Sequence, residues 1–347
     1  MKKIVIWSLI VTFMVSMILM GTACKAEEAA EAVEEEVVAE EAVEEEVVEE
    51  EAVEEEVVAE EKLEFVLISN CTPGDEFWNT IVGGMEDAAN AFGVSAVMQF
   101  ANNDLATQVD MVETAITSQA DGIAVVIADP VAFDEPMQKA LDAGIPVLTF
   151  NVDDPEGKAG NPRLATVGQN LFDAGVLVGE TIAKIEPKRQ HVACFVEMPG
   201  ATYAVLRYGG IKQALDAAGI DSELVDAGYE TQASVLANME AYLEGHPETD
   251  HTATVGSFTA DIVSTALEEM GLIGEITNGG FDISKIVVED IKNGTTLFAC
   301  DQQPYSQGFY TVVFLWNYVV NGQIPADYNT GMAIINADNV EQFEAQY

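Results

Sequence analysis

The stretch that decides the fold is LEFVLISNCTPGDEFWNTIVGGMEDAANAF, residues 63–92. Phe65-Val66-Leu67-Ile68 is a short, wholly apolar, β-rich run, and residues 77–92 form an amphipathic helical one. A strand with no polar face must be covered on both sides, which marks a parallel sheet between layers of helices. The alternation continues outward from there. Strands are expected at 96–100, 122–127 and 146–150, with helices at 105–118 and 131–143 between them. The pattern then begins again, with helices at 171–185, 203–218, 232–243 and 262–270 and strands at 191–197, 222–225, 253–256 and 297–300. The fold class is therefore α/β, as two doubly wound parallel-sheet lobes, and the apolar run 311–320 adds a late buried helix carrying Trp316.

Open parallel sheets bind ligands just beyond the carboxyl ends of their strands. In the first lobe those positions read Asn70, Asn102-Asn103-Asp104, Asp129-Pro130 and Asn151-Val152-Asp153-Asp154. The second adds Ser257-Phe258-Thr259, Phe281-Asp282 and Asp301-Gln302-Gln303. Asn and Asp after strands also form turns and cap helices. Seven polar loop ends converging on one cleft, with aromatic residues beside them, suit a neutral polyhydroxyl ligand. Amides and carboxylates bond paired hydroxyls, while rings cover C–H faces. Catalytic signatures are missing: there is no GxSxG, HExxH, P-loop or GxGxxG, and nothing calls for a cofactor or metal. His246 and His251, in HPETDH, read as loop residues.

Charge narrows the partners. The 347 residues hold 14 Lys and Arg against 60 Asp and Glu, a formal net charge of −46. So few cations cannot neutralise a row of phosphates, which excludes nucleic acid and argues against any polyanionic ligand. The surplus is uneven, with 19 Glu and one Lys in residues 25–61. There EAVEEEVVAE at 31–40 recurs at 41–50 and 51–60 with only its ninth position changed. Apolar pairs every five residues build no single helical face, so the segment reads as a solvated tether. Upstream, Lys2-Lys3 precedes an apolar run at 4–20 and then Gly21-Thr22-Ala23-Cys24. That is the build of a secretory signal, with an uncleaved anchor as the competing reading. Thr22-Ala23-Cys24 resembles the lipobox of bacterial lipoproteins, which implies a signal at 1–23 and lipidation at Cys24. Cys71, Cys194 and Cys300 offer neither a CxxC pair nor an even count, and read as small buried hydrophobes.

Five stretches together resemble the periplasmic sugar-binding proteins of the ribose and galactose type, which feed ABC importers. They are Glu76-Phe77-Trp78 with Gly83-Gly84, Asn103-Asp104, Arg207-Tyr208-Gly209-Gly210, Gly280-Phe281-Asp282, and Asp301-Gln302-Gln303-Pro304-Tyr305 with Gly308. The resemblance runs from Leu63 to Tyr347. It implies a type 1 periplasmic binding protein fold whose lobes are joined by a three-strand hinge, with crossovers near Val167, Asp301 and Gly331. The lobes would be 62–166 plus 302–331 and 167–301 plus 332–347. It places aromatic stackers on Phe77 and Trp78, polar first-lobe contacts on Asn103 and Asn151, an arginine near the hinge on Arg207, the sugar-hydroxyl carboxylate on Asp282 and the crossover glutamine on Gln302, with Tyr229 near another aromatic position and Gly256 or Ser257 where ribose binders carry Asn; Asn70 and Asp153 join the candidate contacts from their places after strands. Where ribose binders carry Asp-Arg after the fourth strand, this chain has Asn151-Val152-Asp153, so another pentose, a hexose or a polyol fits as readily as ribose. The implied partners are a small sugar, ABC permease subunits and, through the lipid, the membrane, with the protein a monomer outside the cytoplasm. A sensory sugar receptor or a nucleoside-binding lipoprotein of the same fold are the alternatives.

If residues 24–61 are only a spacer, a chain beginning at Lys62 keeps full ligand affinity and one cooperative melting transition. Calorimetry and thermal melting of that shortened chain check this, and loss of either property shows that the Glu repeats pack on the lobes.

Overall fold

The computed structural model describes residues 62–343; the signal, Cys24 and the Glu repeats lie outside the described residues. Two six-stranded sheets carry the fold. The first takes its strands in the order β11-β5-β4-β3-β1-β2, from β1 (Glu64–Ser69), β2 (Ser95–Phe100), β3 (Gly122–Val125), β4 (Val147–Asn151), β5 (Ala165–Gly168) and β11 (Tyr328–Asn329). The second runs β12-β10-β9-β8-β6-β7, from β6 (His191–Val196), β7 (Asp221–Asp226), β8 (His251–Thr254), β9 (Thr277–Phe281), β10 (Phe298–Asp301) and β12 (Ala333–Asn336). All pairings are parallel except that of β10 with the edge strand β12. The chain passes from one sheet to the other three times, after β5, after β10 and after β11.

The all-apolar strand β1 shows why helices must cover both faces. Phe65 and Leu67 pack on one side with Ile81 and Met85 of α1 (Glu76–Phe92), whereas Val66 and Ile68 pack on the other with Val112 of α2 (Leu105–Thr117) and Met137 of α3 (Asp134–Asp142). Helix α1 starts where the Asp75 carboxylate accepts from the Phe77 amide at 2.8 Å, and it stops at Gly93, whose φ of 68° suits a residue without a Cβ. The second lobe is built alike, with α4 (Leu171–Ala183), α5 (Thr202–Ala218), α6 (Gln232–Gly245), α7 (Ser257–Glu269) and α8 (Lys285–Asn293) around its sheet. Helix α9 (Pro304–Asn321) follows the second crossover and packs on α1. Trp316, expected in a buried helix, is only half-buried there and lies against Phe92, ring centroids 4.4 Å apart. Among the described residues no helix is long and apolar enough to cross a membrane.

Some elements differ from the sequence expectation. Helix α7 begins at Ser257 rather than 262, and α3 at Asp134 rather than 131. Strands β5, β9, β11 and β12 and helix α8 carry no clear sequence signal. In β9, TNGGF, the glycines are required by contact: a Cβ on Gly280 would stand 2.3 Å from the Thr254 nitrogen of the adjoining strand. His251, expected in a loop, opens β8 fully buried, and burial holds its pKa down to about 3, so the ring stays neutral.

Helices α1 and α9 approach through glycine on both sides. A Cβ on Gly308 would lie 1.9 Å from the Ile81 carbonyl oxygen, and one on Gly84 would lie 2.1 Å from that of Tyr305. Both obstacles are backbone and cannot swing aside. Gly308→Ala should therefore destabilise the protein by about 1–3 kcal/mol, as overpacking does. Denaturant unfolding checks this; an unchanged midpoint would mean that the helices separate at no cost.

Candidate functional site

The carboxyl ends of both sheets face one cavity of about 980 Å³. Its wall includes Asn70 after β1, Phe77 and Trp78 at the start of α1, Asn103, and Asn151 at the end of β4. The second lobe contributes Arg207, Tyr229, Ser257 and Asp282, and the second crossover contributes Gln302. Asp153 is the exception among the expected residues. It is not on the cavity wall, because its carboxylate is taken by Arg163 in a two-point ion pair and accepts from the Thr149 hydroxyl at 2.7 Å. Arg163 in turn reaches Asp327 at 2.7 Å. The pair therefore braces the loop after β4 against the segment leading into β11.

The aromatic wall is preassembled. Trp78 stands edge-on to Phe77, Phe100 and Phe150, with centroids 5.6 to 6.3 Å apart. Trp78 is only 5% exposed, so its placement is fixed by packing. Tyr229, by contrast, is 54% exposed at the mouth.

The polar floor is one connected network. Arg207, on α5 and 2% exposed, donates to Asp282 at 3.0 and 3.3 Å, to the Val255 carbonyl at 2.7 Å and to Gln169 at 3.1 Å, with the Phe281 ring centroid 4.2 Å from its guanidinium. Gln302 donates to Asp282 at 2.6 Å and accepts from Asn151 at 3.3 Å and from Gln307 at 3.0 Å. Asn151 and Asp282 occupy the left-handed region, at φ 62° and 68°, which Asn and Asp tolerate best among side-chain-bearing residues. That conformation ends each strand and turns its side chain to the same crossover glutamine.

Residues not singled out from sequence complete the wall: Cys71, Asp75, Glu197, Tyr203 and Asp261. Glu197 directly follows β6, where the carboxyl-end rule would have found it had the strand been read one residue shorter. Asp261 gave no such sign, being inside α7. Burial pushes the Cys71 thiol up to about 12, leaving it protonated and a poor nucleophile at neutral pH. Burial also raises the carboxyls of Glu197 and Asp75, with the Asp282 charge adding to both. Asp261 is raised to about 6, by burial first and then by the facing charges of Glu76, Asp75 and Asp282 against a lowering bond from Ser284. Cys71, Cys194 and Cys300 are free thiols, and among the described residues no His, Cys, Asp and Glu cluster could hold a metal ion. The arrangement is suited to holding hydroxyls against a ring.

Residues 65–323 match the family described as periplasmic binding protein domain. The chain is 32% identical over 255 residues to a xylose/arabinose-binding protein of Sulfolobus acidocaldarius, a match covering 70% of this chain and 63% of that protein, just under two thirds of its length. It is 28% identical over 238 residues to a D-ribose/D-allose-binding protein of Pseudomonas aeruginosa, covering 66% of this chain and 75% of that one. Among solved structures, a carbohydrate transporter from Acidothermus cellulolyticus 11B in complex with myo-inositol superposes with a TM-score of 0.76 at 28% identity, over 82% of this chain and 97% of that one.

Asp261 makes stability depend on pH. Its folded pKa of about 6 lies above the ordinary 3.8, so across that window the folded chain keeps a proton that the unfolded chain has released. Stability therefore falls as pH rises from about 4 to 6. Melting temperature should be higher at pH 5 than at pH 7, and Asp261→Asn should shrink the difference. An unchanged difference in the variant would assign the titration to other carboxyls.

Proposed function

This chain belongs to the periplasmic binding protein family, and on that premise we propose that it captures a monosaccharide, either a pentose or a hexose, or a related polyol and delivers it to an ABC importer. The observation that carries the reading is the joining of an aromatic wall, Phe77 and Trp78, to amide and carboxylate side chains from both lobes around one cavity. Vicinal hydroxyls bond to the polar groups while the rings cover the sugar's apolar face. Asn70, Asn103, Ser257 and Tyr229 serve as rim contacts, and Asn151, Arg207, Asp282 and Gln302 as the floor. The relatives' named ligands, xylose, arabinose, ribose, allose and myo-inositol, support this ligand class.

The protein binds and releases its ligand without a reaction. Its lobes are 62–166 plus 302–331 and 167–301 plus 332–347, closing about the crossovers. The mature chain is a monomer held outside the cytoplasm by a lipid on Cys24, with residues 24–61 as its tether.

A thermal-shift screen over pentoses, hexoses, polyols and nucleosides tests the reading, because a ligand that binds only the folded state at a hundred times its Kd adds about 2.7 kcal/mol. A sugar or polyol should raise the melting temperature in a saturable way, with the Kd confirmed by calorimetry. If only nucleosides do so, or no sugar does, the assignment falls.

A further inference from the structure

We propose that the ligand is a deoxy sugar, one that carries a methyl or methylene group where its parent carries a hydroxyl, and that Val152 and Leu171 read that carbon. This rests on the sugar-capture reading and narrows it. Polar and apolar groups are not mixed evenly around the cavity. Its carboxylates stand at Asp75 and Glu76, where α1 begins, and on the second lobe. The wall also holds an apolar seam: Trp78, Val126, Val152 and Leu171 belong to one packed cluster, and all four line the cavity. Val152 is 8% exposed and Leu171 6%. Strand register brings these two together, since Asn151, just before Val152, pairs with Gly168, three residues before Leu171.

The polar groups beside the seam are already bonded within the protein. The Val152 amide donates to the Phe150 carbonyl at 2.7 Å, and the Val152 carbonyl accepts from the Ile127 amide at 3.0 Å. At Val126 the amide donates to the Ile68 carbonyl at 3.0 Å, and the carbonyl accepts from the Gln108 side chain at 2.8 Å. The Cys71 thiol, packed against the same cluster, donates to the Asn70 side-chain oxygen at 3.7 Å. Tyr203 lays its ring against the cluster and turns its hydroxyl to Glu197. A ligand hydroxyl facing this seam would lose its water and gain no partner, which is costly. A methyl or methylene there loses no bond and gains burial. The rings of Phe77 and Trp78 cover a C–H face that parent and deoxy sugar share, so they do not separate the two. Val152 and Leu171 do, because an aliphatic side chain offers a hydroxyl nothing to bond.

Calorimetry at pH 7 on the full chain tests this, with each deoxy sugar titrated beside its parent. The pairs are L-rhamnose and L-mannose, L-fucose and L-galactose, D-fucose and D-galactose, 6-deoxyglucose and glucose, and 2-deoxyribose and ribose, with myo-inositol alongside. One deoxy sugar should bind about tenfold to a hundredfold more tightly than its parent, the discrimination an apolar pocket gives against an added hydroxyl. Val152→Thr keeps the shape and sets a hydroxyl in the seam, so it should bring the ratio of the two affinities close to one. Val152→Ala, still apolar, should keep the deoxy sugar ahead. Leu171→Gln, at the start of α4, should lower the same ratio and serves where Val152→Thr does not fold. If every parent binds as tightly as its deoxy form, or only myo-inositol binds, the proposal is overturned while sugar capture stands. A preference that survives both polar variants overturns it too, since the carbon is then read elsewhere. If nothing binds, sugar capture itself fails.

Discussion

The side-chain amide of Gln302 joins the two lobes. It donates to Asp282 of the second lobe and accepts from Asn151 of the first, while the Gln302 backbone carbonyl takes the Thr330 hydroxyl at 2.7 Å. Gln169, on the first crossover, accepts from Arg207 and donates to the Gly331 carbonyl on the third at 3.1 Å. All three passages of the chain between the sheets therefore share one buried set of hydrogen bonds. In a low-dielectric interior such a set is stable only when its members are satisfied together, so the cavity floor and the relative placement of the lobes are coupled. A ligand that competes for Asn151, Gln302 or Asp282 acts on the hinge as well as on the site.

Close packing sets where that network can form. Arg207 is held by the approach of α4 to α5, where a Cβ on Gly175 would lie 2.1 Å from the Arg207 carbonyl and one on Gly210 would lie 2.2 Å from that of Phe172. The first lobe repeats the device with Gly84 and Gly308 on α1 and α9. In both lobes small residues bring two backbones together next to the cavity. One pair positions the guanidinium; the other positions the start of α1, where Phe77 and Trp78 stand.

Much of this was legible in the sequence because it rests on local rules. Apolar strands such as Phe65 to Ile68 declare burial on both faces, and Asn70, Asn151 and Asp282 follow strands closely enough for the carboxyl-end rule to find them. What escaped depends on distant partners. Strand β9 carries two adjacent glycines because Phe298 and Thr254 crowd Gly279 and Gly280 from neighbouring strands. Asp153 has the composition of a site residue, but Arg163 ten positions on takes its carboxylate, and no pattern along the chain announces that pairing. Asp261 and Tyr203 reach the cavity from within helices, where only the packed structure decides which face looks inward.

Electrostatics then distinguishes this cavity from a merely polar one. Cations are scarce, and the two buried most deeply beside the lobes' crossings, Arg163 and Arg207, are each neutralised by aspartates. Asp75 and Glu76 on the first lobe act on Asp261 of the second, raising its carboxyl. Bringing the lobes together forces like charges toward one another as water leaves, so a closed state needs something that binds it preferentially. Hydrogen bonds from hydroxyls can meet that requirement only by exceeding the repulsion.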